Sequence, residues 1–172
     1  MGFLYIYVMD LKSTDYARLI QYAAQKLHMT RLNKTQINKI LFYVYGVFYA
    51  ETGKLLFKDD SPKAWPYGPV FPIVNKKTNP DEIVKSFSQE TIHEFNKHPQ
   101  AMDLVKEAVD AMYNMSAISL TQWSHQEGSP WYKTLYVKDK NGNIVEQKKW
   151  NTPISLELIK AYFSQKENRI KA

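Results

Sequence analysis

The chain of 172 residues contains no cysteine, which excludes disulfide bonds and thiolate chemistry and is typical of a reducing compartment. Its six glycines are dispersed, so it has no glycine-rich loop for phosphate binding. The patterns His-Glu-x-x-His and Gly-x-Ser-x-Gly, typical of zinc and serine hydrolases, are also absent. We therefore expect no cofactor, no metal site and no enzymatic activity, and a cytoplasmic location.

No apolar stretch reaches the ~20 residues that a transmembrane helix needs, so we expect no membrane span. Residues 2–9 are apolar, but this stretch is too short and lacks the basic leader of a signal peptide. We treat residues 1–12 as an extra N-terminal segment, with either Met1 or Met9 as the natural start.

Aromatic residues make up 14% of the chain, and the formal net charge is +6. The rings can fill a core or face a partner. The basic residues are scattered, with tight pairs only at Lys76-Lys77 and Lys148-Lys149, so a solvated basic surface fits better than a nucleic-acid groove. A charge of this sign leaves both an acidic protein partner and DNA open.

Hydrophobic periodicity predicts a mostly α fold, a single compact multi-helix domain with a small β-hairpin element in the first half. The first helix covers residues 13–31, with Ser13 as its N-cap. A second helix starts at Asn33, where Gln36 completes a capping box, and stops at Gly53. This helix is apolar nearly all round, which predicts a central buried element, and Gly46 within it predicts a closely packed neighbour.

The hairpin element is predicted from extended residues 55–57 and 63–65, joined by a turn at 59–62. Residues 65–70 follow as a rigid irregular loop, because proline fixes φ and glycine permits positive φ. The charged residues 167–172 are expected to form a flexible tail. Further helices are predicted to start at Asn79-Pro80, Pro99, Ser119 and Thr152-Pro153.

Lys39 is a charged residue on the apolar second helix. Two interpretations remain open. Its stem can lie along the core with the ammonium in water, or the ammonium can pair with Glu51, Asp59 or Asp60.

His125 follows Ser124 directly, and adjacent helical side chains diverge, so the two do not form a catalytic pair. A structural hydrogen bond near a helix end fits His125 better than general acid-base work. A hydrolase using Lys39, His125 and an acid is disfavoured because no activated nucleophile is visible. Trp65 and Trp131 fit either core anchors or interface hot spots.

Three segments carry a family resemblance: residues 38–43 (Asn-Lys-Ile-Leu-Phe-Tyr), 53–57 (Gly-Lys-Leu-Leu-Phe) and 64–70 (Ala-Trp-Pro-Tyr-Gly-Pro-Val). They resemble the Panacea domain of SocA-like antitoxins, also called phage-associated GepA-like proteins. Residues 120–131 resemble the second block of that family, with Ser124 in place of the common Thr. By this resemblance residues 32–166 form the antitoxin domain.

The resemblance implies a mostly α antitoxin that neutralises a cognate toxin by direct contact. In the founding case the antitoxin is an adaptor that delivers its toxin to a Clp protease. The alternative is a nucleic-acid-binding regulator of its own operon. Carried over by position, the residues interpreted as partner-binding or scaffold residues are Lys39, Trp65, Tyr67, Gly68, Pro69, Val70, His125 and Trp131. The helix before Asn33 lies outside the matched segments and is a candidate toxin-specific element.

Overall fold

Helices form most of the fold, which confirms the predicted class. The structure, a computed structural model, describes residues 10–171. In chain order its helices are α1 (Ser13–His28), α2 (Lys34–Thr52), α3 (Pro72–Lys77), α4 (Gln89–Asn96), α5 (Pro99–Met112), α6 (Ala117–Ser124), α7 (Pro130–Leu135) and α8 (Leu156–Phe163). Its strands are β1 (Lys63–Trp65), β2 (Gly68–Val70), β3 (Tyr136–Lys138), β4 (Ile144–Gln147) and β5 (Thr152–Pro153). The apolar residues 2–9 and the alternative starts lie outside the described residues.

The helix α2 is the centre of the core, as its sequence predicts. The Asn33 side chain accepts a hydrogen bond from the Gln36 N–H, and the Gln36 side chain accepts one from the Asn33 N–H, both at 2.9 Å. The helix stops at Gly53, whose φ of 69° is the left-handed conformation that glycine adopts readily. A Cβ at Gly46 would collide with the ring of Phe163, so the predicted close neighbour is α8.

The small β element is present, and the predicted extended segment 63–65 is β1, but its partner strand differs from the predicted one. Residues 55–57 form no strand. The rigid loop itself makes the hairpin: β1 pairs antiparallel with β2 through Trp65 and Gly68. On its other edge β1 pairs with β5, so the sheet order is β2-β1-β5. A second antiparallel hairpin, β3–β4, was not predicted.

The adjacent residues Asp59 and Asp60 accept hydrogen bonds at the starts of α1 and α3. The prediction that Ser13 is the N-cap of α1 is wrong. Ser13 is the first helical residue and Lys12 is the N-cap. The Ser13 N–H and hydroxyl both donate to the Asp59 carboxylate at 2.8 Å. The Asp60 carboxylate accepts the N–H of Ile73 at 2.9 Å at the start of α3. These caps come from a loop distant in sequence, so no local pattern shows them.

The predicted helix start at Asn79-Pro80 is wrong, since the next helix starts at Gln89. Two glutamines of α1 instead form hydrogen bonds with backbone groups of residues 79–84. Gln21 donates to the Asn79 carbonyl at 2.9 Å, and Gln25 accepts the Val84 N–H at 3.0 Å. Long-range hydrogen bonds therefore replace the helical ones that the local pattern suggested.

Two other predicted helix starts are misplaced by a few residues. Ser116, not Ser119, caps α6 by accepting the Ser119 N–H at 3.0 Å. Ser155 caps α8 by accepting the Leu158 N–H at 3.2 Å. Residues 152–153 are strand β5 because they pair with β1.

The charged end of the chain makes specific contacts. A 3-10 helix at Lys166–Asn168 follows α8. Arg169 Nη1 lies 2.7 Å from Glu51 Oε1, and Arg169 Nε donates to the Phe163 carbonyl at 3.0 Å. These contacts tie the segment to α2 and α8.

Within residues 10–171, no helix combines the length and the apolar character that a membrane span requires.

Candidate functional site

The hairpin β1–β2 is pressed against α2 and α6 at Gly68. Gly68 has a φ of 108°, and a Cβ there would stand 2.5 Å from Lys39 Cε and collide with Ser124 Oγ. Both the backbone conformation and the lack of space therefore require glycine. Lys39, Ser124 and His125 lie beneath Gly68 of this hairpin, and we call the four residues the buried polar cluster, in which His125 is partly exposed.

Lys39 is wholly enclosed, with a relative exposure of 0%. Its Nζ donates to the Pro69 carbonyl at 3.1 Å, the one hydrogen bond of this ammonium within residues 10–171. Burial lowers the pKa of the Lys39 ammonium from 10.5 to about 7, because the charged form loses its hydration. Both sequence interpretations are therefore wrong: within residues 10–171 the ammonium is enclosed and pairs with none of Glu51, Asp59 and Asp60.

His125 ends α6 and stacks on Trp131, with ring centroids 3.6 Å apart and planes 12° from parallel. Its Nε2 is buried and has no hydrogen-bond partner among the described residues. Burial, and secondly the charge of Lys39, lowers the pKa of the His125 imidazole. The expected structural hydrogen bond of this side chain is absent from the described residues, so His125 acts by packing.

Trp131 joins the two sequence blocks that carried the resemblance. It is a buried core residue, and its Nε1 donates to the Trp65 carbonyl at 2.8 Å. Ser129 Oγ donates to the Ser124 carbonyl at 2.8 Å and also accepts the N–H of Tyr132 at the start of α7. The Ser129 contacts order the second block internally, and the hydrogen bond from Trp131 to Trp65 joins it to the first block, which is far away in sequence.

Not all the carried-over positions lie in the interior. Pro69 and Val70 are buried with Gly68. Tyr67 at the tip of the hairpin is 72% exposed, and Trp65 is half-buried with its Nε1 donating to Asn151 Oδ1 at 2.9 Å. The site therefore consists of an enclosed base and an exposed tip.

Trp150 extends this tip, a residue that the sequence analysis did not select. It is 49% exposed, and its ring lies 6.5 Å from that of Trp131. We call Trp65, Tyr67 and Trp150 the aromatic ridge. Its third member comes from the loop before β5, so only the pairing of β5 with β1 brings it here.

Asn38, beside Lys39 on α2, is a second residue that the sequence analysis missed. It is buried, and its Oδ1 accepts the Phe71 N–H at 2.9 Å. Asn38 therefore fixes the chain just after β2. A polar residue inside an apolar helix was the signal that could have found it.

The buried polar cluster offers little chemistry. No carboxylate contacts Lys39 or His125 within residues 10–171, and Ser124 Oγ donates to the Thr121 carbonyl at 2.9 Å. In the same residues no group of three or more His, Asp or Glu side chains could hold a metal ion. The cluster packs against the hairpin that carries two of the three ridge residues.

Comparison with known proteins identifies the family of the chain. A family model described as "Antitoxin SocA-like, Panacea domain" matches residues 37–132, more than half of the chain. Neither the curated proteins nor the solved structures contain a match to the chain. The matched range contains the buried polar cluster, the β1–β2 hairpin and Trp131. The chain belongs to the family of SocA-like antitoxins with a Panacea domain.

Proposed function

We propose that the protein neutralises a cognate toxin by binding it directly. The family match supports an antitoxin role. The observation that carries the binding mechanism is the exposure of Tyr67, at 72%, within a motif whose other residues are mostly buried. Large exposed aromatic residues on a rigid scaffold are typical of protein interfaces.

The carried-over residues divide into two roles in this proposal. Tyr67 and Trp65 contact the toxin, together with Trp150. The remaining six hold the hairpin that presents them, namely Lys39, Gly68, Pro69, Val70, His125 and Trp131. Ile118, 72% exposed on α6, lies one helical turn before Thr121, whose hydroxyl donates to the Tyr67 carbonyl at 3.4 Å. The contact surface therefore extends from the ridge onto α6.

A protein partner fits the charges better than nucleic acid does. Several basic side chains already form ion pairs within the molecule, including Arg18 with Glu82, Lys97 with Glu94 and Arg169 with Glu51. Nucleic-acid binding would weaken steeply with salt because it releases counterions. Retention on operon DNA with such a salt dependence, without a protein ligand, would favour the regulator instead.

The test is co-expression with the open reading frame beside the gene. We expect the neighbouring protein to stop growth alone, the native chain to restore growth, and the two proteins to co-purify. The double variant Tyr67→Ala/Trp150→Ala should lose rescue and co-purification. The matched control is Ile144→Ala, which truncates an exposed apolar residue on β4 outside the ridge. Full rescue by the double variant would exclude the ridge as the toxin-binding surface.

The same strains test whether the protein delivers the toxin to a Clp protease. An adaptor shortens the half-life of its toxin, and this effect disappears when the protease is deleted. Neutralisation by contact alone leaves the half-life unchanged or lengthens it. A pulse-chase measurement of the toxin separates the two mechanisms.

A further inference from the structure

An apolar groove lies on α1, α4 and α5, apart from the aromatic ridge. Two depressions of about 540 Å³ and 320 Å³ form it, and both are lined by Leu19, Tyr22 and Met102. They are therefore parts of one continuous surface, which we call the α1–α5 groove. The apolar lining continues to Leu27 at one end of the groove and to Phe87 and Ile92 at the other.

The elements that line the groove favour a helical occupant. Its lining residues belong to α1, α4, α5 and the irregular segment 85–87, with no strand among them. An extended peptide binds well where a sheet edge offers unpaired backbone groups, and this lining offers no such edge. Side-chain packing must supply the affinity, as when the apolar stripe of a helix fits between two other helices.

The charges at the rim define the chemistry of the occupant. Lys26, Lys85 and Lys106 are exposed there, against one carboxylate, Asp103. Lys106 Nζ lies 3.1 Å from an Asp110 oxygen, whereas Lys26 and Lys85 have no ion pair within residues 10–171. The rim is therefore basic and complements acidic residues.

The same charges argue against a second copy of this chain as the occupant. A symmetric dimer places the same patch of each subunit against the other. Groove against groove would bring the lysines of one rim toward those of its partner. Such like-charge contacts oppose association.

The groove combines an element within the matched family range with one outside it. The helix α5 lies inside residues 37–132, whereas α1 lies before them. On its other face α1 buries Tyr16, Ala17 and Ile20 in the core. Deleting residues 1–30 would therefore disrupt the fold, and only changes on the groove face of α1 can test its role in partner choice.

We infer that the α1–α5 groove binds an amphipathic helix of a partner protein, with acidic residues flanking its apolar stripe. Naming that partner as the toxin rests on the proposed function. Leu27 and Met102 meet the apolar stripe, and Lys26 and Lys85 meet its acidic flanks. Because α1 lies outside the matched range, the groove adds a contact that other family members need not share.

The test is selection of binders from a phage-displayed library of helical peptides, on the full native chain. We expect enriched peptides with apolar residues at i, i+3 or i+4, and i+7, and with net negative charge. Leu27→Glu should weaken their binding by about tenfold or more, and so should Lys26→Glu/Lys85→Glu. Leu27 is 51% exposed, so the first change should leave the fold intact.

The matched controls are Ile144→Glu, at a residue 52% exposed, and Lys140→Glu/Lys149→Glu, at two exposed lysines outside the groove; both should bind as the native chain does. The inference is overturned by no enrichment, by basic or non-helical peptides, or by binding that the groove variants do not weaken. A dimer in sedimentation that Leu27→Glu dissociates would also overturn it, since the occupant would be a second copy.

Growth rescue keeps this test separate from that of the proposed function. If the native chain rescues growth but the selection gives no acidic helices, the groove assignment fails and neutralisation stands. If the selection succeeds but the native chain does not rescue growth, the toxin assignment fails and the groove remains a helix-binding site. If both succeed, we expect Leu27→Glu to lower rescue and Ile144→Glu to preserve it.

Discussion

The buried polar cluster and the α1–α5 groove differ in the two properties that a functional surface needs. The cluster holds reactive residue types, Lys39 and His125, but the hairpin encloses Lys39 completely. The groove has few reactive groups but is open, apolar and rimmed by lysines. A lysine and a histidine in a family motif would ordinarily suggest chemistry. The complete burial of Lys39 and the buried Nε2 of His125 favour a structural role for both residues, and surfaces that are open to partners lie elsewhere.

The largest effect on stability should come from closing the space at Gly68. Gly68→Ala places a Cβ against Ser124 and Lys39 at a φ of 108°, and we expect a loss of more than about 3 kcal/mol in the free energy of unfolding. Urea denaturation measures it. The control is Gly142→Ala, at a φ of 82° in open space, which should cost only about 1–2 kcal/mol. Equal losses would mean that the hairpin is not tightly packed there.

Removing the indole of Trp131 should have the next largest effect. Trp131→Phe deletes the hydrogen bond to the Trp65 carbonyl and reduces the stacking on His125, and we expect a loss of about 2 kcal/mol. Trp150→Phe changes the same residue type on the exposed ridge and should cost less than about 0.5 kcal/mol. Similar losses of stability in the two variants would contradict the assignment of Trp131 to the enclosed base and of Trp150 to the exposed tip.

The burial of Lys39 predicts that the free energy of unfolding rises with pH. The pKa of Lys39 is about 7 in the folded protein and 10.5 when exposed, so between these values the unfolded chain binds more protons. The free energy of unfolding should rise by up to ~1.4 kcal/mol per pH unit from this residue alone. The lowered pKa of His125 acts below pH 6.5, outside this window.

Denaturation midpoints between pH 7 and 9 test this dependence on Lys39. The upper limit avoids Tyr16 and Tyr45, whose pKa values burial raises above 10. Lys39→Met keeps a long apolar stem and should flatten the profile. A variant that keeps the native slope would show that Lys39 is hydrated in the folded protein.

The smallest effect on stability should come from Tyr67. Its ring is largely exposed, so Tyr67→Ala should change the free energy of unfolding by less than about 0.5 kcal/mol. The same variant should weaken toxin binding, because an exposed aromatic anchor contributes mainly to the interface. Thermal denaturation beside a binding titration separates the two. A large loss of stability with unchanged binding would place Tyr67 with the scaffold.

Local patterns predicted some parts of the site and missed others for a common reason. The α2 helix followed from Asn33, Gln36, Gly46 and Gly53, because capping and close packing depend on neighbouring residues or on one small side chain. The true cap of α1 did not follow, since the capping carboxylate is Asp59. A cap supplied from a distant loop leaves no mark at the helix that receives it.

The positions of Lys39 and Trp150 also could not be predicted from local sequence patterns. A lysine on an apolar helix is visible in the sequence, but whether it reaches water depends on which loop covers it. Here β2 covers it and supplies the Pro69 carbonyl. Trp150 carried no family pattern, and it joined the ridge only because β5 adds to the edge of β1.

The sequence by itself determined the mostly α class, the central helix, the presence of a small β element in the first half and the family. These depend on periodicity, on capping residues and on the backbone limits of proline and glycine, all of which act within a few residues. The tertiary structure decided which motif residues are enclosed, which form the aromatic ridge, and where the α1–α5 groove lies. Burial and surface charge depend on segments that meet only after folding, so no local pattern can fix them.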